Sequence, residues 1–211
     1  MGQISVVMDD ESDEQLVRLY LAGQREALRA LVDRYQTDLI RFLTRLTGSR
    51  DMAEDAFQET FLQFHQSADR FDLSRRLRPW LFTIAANKAR DAMRKKSRQP
   101  YLSLSRPVNA DATTEFVDLL EVRTPAADSH LTEQERSARV DRVLAGLSHP
   151  LREVLLLAYF QRMSYAQIAD DLGIPLGTVK SRLHAAVANF AKGWHALSES
   201  SEDMLGGEQA S

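Results

Sequence analysis

The sequence predicts an all-α protein of two small helical domains joined by a flexible linker, with a helix-turn-helix in the C-terminal domain. Three observations support this fold class. Apolar residues recur at three- and four-residue spacing in two separate parts of the chain. No segment shows the sustained alternation that is typical of a strand. Between the two parts, a stretch near positions 97–129 holds three of the six prolines and has no sustained periodicity, which indicates a linker.

The N-terminal part predicts four helices. Ser12 and Gln15 fit a capping box that opens a short helix ending at Leu21. Gly48 is the expected stop of a long second helix, and Asp51 the expected cap of a third. A fourth helix is expected from Pro79 or Trp80 to about Lys96. In helix two the expected apolar positions are Leu28, Leu31, Val32, Tyr35, Leu39, Phe42, Leu43 and Leu46. In helix three they are Ala53, Phe57, Phe61 and Phe64. In helix four they are Leu81, Ile84, Ala85, Ala89 and Ala92.

The composition excludes several classes of protein. The chain has 211 residues and no Cys, so disulfides and thiolate metal sites are excluded. No apolar run reaches the roughly 18 residues that a membrane span needs, and the acidic start does not resemble a signal peptide. The five His are dispersed, and neither a Gly-rich phosphate loop nor a nucleophile elbow occurs. We therefore expect a cytoplasmic protein without membrane insertion, catalytic residues, metal or cofactor.

The charge is unevenly distributed. The formal net charge is -3, yet residues 70–98 hold ten Lys or Arg against two Asp, and residues 175–195 hold three basic residues and no acidic one. Two basic segments in an acidic protein suggest two contacts with a polyanion. Solvated helix faces give similar charge runs, so charge alone does not decide between these interpretations.

The third helix has an acidic outer face. Opposite the Phe stripe lie Asp55, Gln58, Glu59, Leu62 and Gln66. An acidic face with an exposed Leu suggests a docking surface for a basic partner, although isolated exposed leucines are ordinary.

The segment that follows combines aromatic rings with cations, as single-stranded DNA binding requires. Phe71, Trp80 and Phe82 are candidates for stacking on unpaired bases, although Trp80 fits the core as well. The candidate phosphate contacts are Arg75, Arg76, Arg78, Arg90, Arg94 and Lys95. A possible reading surface on the outer face of the fourth helix consists of Asn87, Arg90, Asp91 and Arg94.

Helices are expected to resume at Leu131, where Thr132 and Glu135 fit another capping box. The most specific motif of this part of the chain is SYAQIADDLGIPLGTVKSRL, residues 164–183. Ser164 and Gln167 form a capping box, Gly173 allows a left-handed turn, and Pro175 suits the start of the next helix. A short helix, a turn with Gly and a longer helix make a helix-turn-helix. The apolar stripe of the second helix is Val179, Leu183, Val187, Phe190 and Trp194. The residues that point away from this stripe include Gly177, Thr178, Lys180, Ser181, Arg182 and His184. The long or hydroxylated side chains among them suit contacts with phosphates or bases.

These motifs resemble a known family when they are taken together. DMAEDAFQETFLQF followed by RPWLFTIAANKARDAMRKKSR is similar to domain 2 of the extracytoplasmic-function sigma factors of the sigma-70 family. LSHPLREVLLLAYFQRMSYAQIADDLGIPLGTVKSRLHAA is similar to their domain 4. The resemblance implies domain 2 at residues 14–97 and domain 4 at 131–195. A flexible N-terminus at 1–13, a linker at 98–130 and a disordered tail at 196–211 complete the expected organisation.

The resemblance also implies a role for each surface. In this family domain 2 docks on core RNA polymerase, which implies Asp55, Gln58, Glu59 and Leu62 as contacts. Its tryptophan helix reads and melts the minus-ten element, which implies Trp80, Asn87, Arg90, Asp91 and Arg94, with the loop from Phe71 to Arg78 as a candidate pocket for a flipped base. The helix-turn-helix reads the minus-thirty-five element, which implies Thr178, Lys180, Ser181 and Arg182. The implied partners are core polymerase, promoter DNA and an anti-sigma factor or other regulator.

Two departures from the family pattern bear on these expectations. Members often carry several Arg or Lys after KSRLH, where this chain has Ala185, Ala186, Val187 and Ala188, and the linker is longer than usual. An alternative interpretation is a helix-turn-helix regulator whose N-terminal half senses a signal or dimerises. The arginine-aromatic segment discriminates between the two, since a regulator that binds only duplex DNA needs no strand-melting surface.

Overall fold

The computed structural model describes Met8, residues 10–96 and residues 132–206. These residues form helices and no strand, and the chain divides into two compact units, the first with the N-terminal helices and the second with the C-terminal ones. The expected all-α fold is confirmed. The expected linker at 98–130 lies outside the described residues. No helix in the described ranges is long and apolar enough to cross a membrane.

In its described residues from position 10 onward, the N-terminal unit contains four α-helices and one short 3-10 turn. The helices are α1 (Asp13–Leu21), α2 (Arg25–Thr47), α3 (Arg50–Ser67) and α4 (Leu77–Lys96), and the 3-10 turn, Ala68–Arg70, follows α3. Gly48 ends α2 in the left-handed conformation, φ 71°, as the sequence predicted. The cap of α3 is Ser49, whose hydroxyl accepts a hydrogen bond from the Met52 amide at 3.4 Å. Asp51, the expected cap, instead lies in the first turn of α3, where its carboxylate interacts favourably with the positive end of the helix dipole.

The core of this unit is formed by one face of each helix. The predicted stripe of α2 is buried except for Leu28 and Val32, which are half-buried. In α3 the predicted stripe is partly wrong, because Ala56 and Thr60 occupy the core while Phe57 and Phe61 are half-buried and pack edge-on, 5.1 Å apart. Small residues at the α3 contact favour close packing against its neighbours. The largest buried side chains are Leu16, Leu31, Leu39, Leu43, Leu46, Phe64, Leu77, Leu81 and Phe82.

Helix α1 is fixed to the unit by two carboxylates. Asp13 accepts hydrogen bonds from the Tyr35 hydroxyl and, at 2.7 Å, from the Arg34 guanidinium. Burial, together with the hydrogen bond to Asp13, raises the pKa of the Tyr35 phenol far above its usual range, so Tyr35 stays a neutral donor. The buried Met8 accepts a bond from Arg34 through its carbonyl at 3.3 Å. Within the N-terminus expected to be flexible over residues 1–13, Met8 is buried, and Ser12 and Asp13 form the cap and the first residue of α1.

Glu14 provides the second carboxylate and caps a different helix. Its Oε1 accepts a hydrogen bond at 3.2 Å from the amide of Leu77, the first residue of α4. We expect Glu14→Ala to leave this buried amide without an acceptor, at a cost of about 1 kcal/mol. Hydrogen exchange of the Leu77 amide, measured by NMR, should therefore be about fivefold faster, since a free-energy change of about 1 kcal/mol corresponds to about a fivefold change in rate. Glu14→Gln keeps an acceptor oxygen and is the control; equal acceleration in both variants would contradict this role.

The described part of the C-terminal unit, residues 132–206, contains four more α-helices. They are α5 (Glu133–Gly146), α6 (His149–Leu155), which continues as a π-helical turn (Leu156–Phe160), α7 (Tyr165–Leu172) and α8 (Leu176–Gly206). The predicted capping box of Thr132 and Glu135 is present, and its hydrogen bonds lower the pKa of Glu135. The disordered tail expected from residue 196 is wrong as far as Gly206. Helix α8 continues because neither Gly nor Pro occurs between Trp194 and Gly206.

A buried arginine joins α5 to α8 within this unit. Arg139 donates a hydrogen bond to the carbonyl of Trp194 at 2.8 Å and places its guanidinium 4.4 Å from the centre of that indole. A Cβ at Gly193 would lie 3.1 Å from the Val143 side chain, so glycine permits the close approach of the two helices. These contacts hold the stem of α8, whose first turns carry the predicted DNA contacts.

Candidate functional surfaces

The first candidate surface is the outer face of α3, here called the docking face: Asp55, Gln58, Glu59 and Leu62. All four residues are exposed, and Leu62 retains 50% of its surface as one of the exposed large apolar side chains of the described residues. Their i, i+3, i+4, i+7 spacing places them together on the side of α3 opposite its buried residues. The result is an acidic, hydrogen-bonding surface with one exposed apolar side chain, Leu62, as the sequence predicted.

The docking face is linked to α4 by an ion pair. Lys88 Nζ lies 3.8 Å from Glu59 Oε2 and 3.4 Å from Gln63 Oε1. One turn earlier on α3, Glu54 pairs with Arg50 at 2.6 Å within the helix. Glu59 is thus a docking-face carboxylate that contacts α4.

The second candidate surface lies along the outside of α4 and is here called the reading face: Asn87, Arg90, Asp91 and Arg94. Asn87, Asp91 and Arg94 are exposed and Arg90 is half-buried. Arg94 forms an ion pair with Asp91, and Arg90 Nε donates to the Ala86 carbonyl at 3.3 Å. The last turn of α4 adds Lys95 and Lys96 to Arg94. The face combines amide, carboxylate and guanidinium groups, which suits contacts with base edges and phosphates.

The aromatic residues beside the reading face belong largely to the core. Phe82 is completely buried and Phe71 retains 7% of its surface, so the expectation that these rings are available to unpaired bases is wrong for Phe82 and unsupported for Phe71. Trp80 is half-buried, with its ring centre 5.0 Å from Phe71 and 5.9 Å from Phe64. Trp80 is therefore the ring of the three that keeps substantial exposure while the protein holds it in place.

Arg78 also differs from its expected role as a phosphate contact. Its guanidinium lies 4.8 Å from the centre of the Phe82 ring and donates to Asp38 at 2.9 Å, so it ties α4 to α2. In the preceding loop Asp72 accepts bonds from the Ser74 amide and hydroxyl at 3.0 and 2.6 Å. These bonds lower the pKa of Asp72. Arg75 pairs with Asp72 at 3.3 Å and Arg76 is exposed, so the cations of this loop that keep outward positions are Arg75 and Arg76.

The third candidate surface is the helix-turn-helix of α7 and α8. The predicted capping box of Ser164 and Gln167 is present, and Gly173 adopts the left-handed conformation, φ 61°. The Ile174 amide closes the turn on the Ala169 carbonyl at 3.1 Å, and the Thr178 amide donates to the Pro175 carbonyl at 2.8 Å. The predicted geometry of the motif is confirmed.

The start of α8, residues 176–184, is here called the recognition helix. Val179 is fully buried, and the four predicted residues Thr178, Lys180, Ser181 and Arg182 are all half-buried. Ser181 donates its hydroxyl to the Thr178 carbonyl at 3.1 Å, so it offers its lone pairs outward. Gly177 is exposed, and nothing lies within 4 Å of the position a Cβ would take, so backbone and side chains here are open to a partner.

Comparison with known proteins decides the family. The family model of sigma-70 region 2 matches residues 31–99, and that of sigma-70 region 4 matches residues 137–189. The chain belongs to the sigma-70 family, in its extracytoplasmic-function subfamily. It is an RNA polymerase sigma factor.

Relatives of this sigma factor cover most of its length. The extracytoplasmic-function sigma factor SigL of Mycobacterium tuberculosis is 38% identical over 172 residues, which are 79% of this chain and 88% of SigL. SigW of Bacillus subtilis is 30% identical over 162 residues, 77% of this chain and 86% of SigW. Among solved structures, the sigma factor RpoE of Bartonella quintana, in complex with the anti-sigma factor NepR, superposes with a TM-score of 0.55 at 27% identity over 78% of this chain and 94% of RpoE.

The two family matches contain all three candidate surfaces. Region 2 includes the docking face and the reading face, and region 4 includes the four predicted residues of the recognition helix. The alternative interpretation, a regulator with an N-terminal sensor or dimerisation domain, leaves the region 2 match unexplained.

Sequence reasoning missed three residues that position these surfaces. Glu14 caps α4, Lys88 contacts the docking face, and Arg139 anchors the stem of the recognition helix. The separations along the chain are 63, 29 and 55 residues for these contacts, so no local pattern connects the partners. For Lys88 the available signal was its place next to Asn87 on a helix whose other cations are predicted DNA contacts.

Proposed function

We propose that this sigma factor binds core RNA polymerase through the docking face, melts and reads the minus-ten element with Trp80 and the reading face, and reads the minus-thirty-five element with the recognition helix. The observation that carries the proposal is the grouping of the predicted residues into three surfaces, each exposed or half-exposed and each held by a structured backbone. The docking face is acidic and the other two carry cations, which matches a basic protein partner and a polyanion respectively.

The sigma factor acts as a subunit, and the catalysis of transcription belongs to the polymerase. We place it in the cytoplasm, where it would meet polymerase and promoter. The complex of RpoE with the anti-sigma factor NepR supports a protein regulator for this chain as well. Such a regulator would compete with polymerase or DNA for one of the three surfaces.

The direct test is in vitro transcription. Purified core polymerase with this chain as the one added sigma factor should initiate at promoters selected from a genomic library, and core polymerase alone should not. Absence of promoter-specific transcripts across the library, from a preparation that forms holoenzyme, would refute the promoter-directing role. Failure to form holoenzyme would refute the docking assignment instead.

The reading face is tested by separating promoter melting from promoter binding. Asn87→Ala removes an exposed amide, and we expect it to reduce the open complex about tenfold while closed-complex affinity changes about twofold or less, since its partner is an unpaired base. We expect the same direction for Arg94→Ala. Permanganate reactivity of promoter thymines measures melting, and mobility shift at low temperature measures the closed complex.

Gln36→Ala, an exposed amide truncation on α2, is the matched control and should leave both measurements unchanged. Normal thymine reactivity in both reading-face variants would count against the assignment of that face.

A further inference from the structure

The ion pair between Glu59 and Lys88 joins two surfaces that have separate proposed partners. Glu59 belongs to the docking face on α3, and Lys88 lies on α4 directly after Asn87 and three residues before Asp91 of the reading face. The Lys88 side chain keeps 25% of its surface exposed, and that of Glu59 keeps 58%. The pair is therefore open enough to be broken by a partner at the surface.

Lys88 lies where its ammonium group can contact either the Glu59 carboxylate or the solvent beside the reading face. Its position on α4 is at the border between the reading face and the face packed on α3, and its ammonium is turned to Glu59 and to Gln63. A lysine head on four flexible carbons changes direction at low cost, unlike an arginine fork. Once the ion pair with Glu59 is broken, the same side chain reaches the solvent beside Asn87 and Asp91, where the proposed function places promoter DNA.

The ion pair between Lys88 and Glu59 is weak enough to be replaced by a contact between Lys88 and a DNA phosphate. A partly exposed ion pair at 3.8 Å contributes little to stability, because solvent screens both charges. A basic group of a protein partner that contacts Glu59 would take over its carboxylate and leave Lys88 without its counterion. One phosphate contact would then compensate Lys88, with release of a DNA counterion.

We propose that Lys88 is a DNA-phosphate contact of region 2 that Glu59 holds on α3 in the free sigma factor, and that docking of polymerase on Glu59 releases it. The inference rests on the proposed roles of the docking face and the reading face. It makes the two functions of region 2 interdependent, since the chain gains one cation for DNA when polymerase binds.

The first test measures the salt dependence of promoter binding by holoenzyme. Lys88→Ala should make the slope of log affinity against log salt less steep by about one. Between about 50 and about 200 mM salt, the wild-type advantage over the variant should therefore shrink about threefold. Lys88→Arg should restore the slope, and Arg29→Ala, which removes one exposed cation from α2, should not change it.

The second test uses the free sigma factor and a single-stranded oligonucleotide carrying a minus-ten sequence. Glu59→Gln should strengthen oligonucleotide binding about threefold, because Lys88 is released without polymerase. In a Lys88→Ala background the same substitution should have no effect. Glu54→Gln removes the equivalent charge from the Arg50 pair one turn earlier and controls for the general effect of removing a carboxylate.

The outcomes separate this inference from the proposed function. An unchanged salt slope in folded Lys88→Ala holoenzyme, or a Glu59→Gln gain that persists without Lys88, would overturn the inference. If Lys88→Ala lowers the thermal midpoint, Lys88→Gln, which removes the charge but keeps most of the aliphatic stem and an amide donor, repeats the slope measurement in a folded chain. Failure of the docking face itself would appear elsewhere, as unaltered core binding when Asp55 and Glu59 are reversed in charge.

Discussion

The double variant Asp55→Arg, Glu59→Arg should lose binding to core RNA polymerase by at least about 100-fold while its fold remains intact. Both side chains are exposed on the docking face, so no core contact is removed. Removing one partner of a desolvated charge pair costs about 2–5 kcal/mol, and reversal adds repulsion against the same basic group. The variant also places an arginine opposite Lys88, at a surface ion pair that contributes about 1 kcal/mol or less to stability.

The measurement is the dissociation constant for core polymerase, with circular dichroism and the thermal midpoint as checks on folding. The matched control reverses two exposed acids on α2, Glu26→Arg and Asp33→Arg, and so makes the same change in net charge elsewhere in the same unit. Equal loss in the control would indicate a long-range charge effect. Normal co-purification of the docking-face variant with core polymerase would refute the assignment of this face.

The features of the fold that could be predicted from sequence are those whose interacting residues lie close together along the chain. Capping boxes at Ser12, Thr132 and Ser164 and the left-handed glycines at positions 48 and 173 are encoded within three or four residues. All were predicted from sequence because the donor, the acceptor and the turn lie together in the chain. The shifted stripe of α3 is different, since tertiary packing selects Ala56 and Thr60 over two larger Phe side chains for the close contact.

The candidate sites follow the same rule. Helical periodicity was sufficient to group the docking face and the reading face, because residues three and four apart share one side of a helix. It could not show that Phe82 is buried or that Arg78 binds Asp38, since both depend on helices distant in sequence. An arginine-aromatic segment therefore indicates DNA binding without stating which rings and cations are free to take part.

The recognition helix should depend heavily on two cations. In the four positions after His184, where family members often carry a basic run, Ala186 is buried and Ala185 and Val187 are half-buried. This segment therefore supplies packing in place of phosphate contacts. In the recognition helix, which lies within the described residues, the Lys and Arg side chains available for DNA contacts are Lys180 and Arg182.

We expect Lys180→Ala, Arg182→Ala to reduce transcription about 10- to 100-fold from a promoter that requires its upstream element. A bidentate contact of arginine with guanine contributes about 1–3 kcal/mol of discrimination, and loss of a phosphate contact weakens all sequences alike. Promoter activity across a library of upstream elements, measured for each single variant, separates the two roles. A uniform loss for Arg182→Ala indicates phosphate anchoring, and a loss confined to one base position indicates base reading.

Lys192→Ala, an exposed cation farther along α8, is the matched control and should transcribe normally because it lies outside the recognition helix. The double variant should retain its affinity for core polymerase and its activity on promoters that depend on the minus-ten element alone, since region 2 is unchanged. Its salt slope on the full promoter should fall by about one for each phosphate contact removed. Wild-type transcription from the promoter that requires its upstream element would show that the recognition helix has been assigned to the wrong residues.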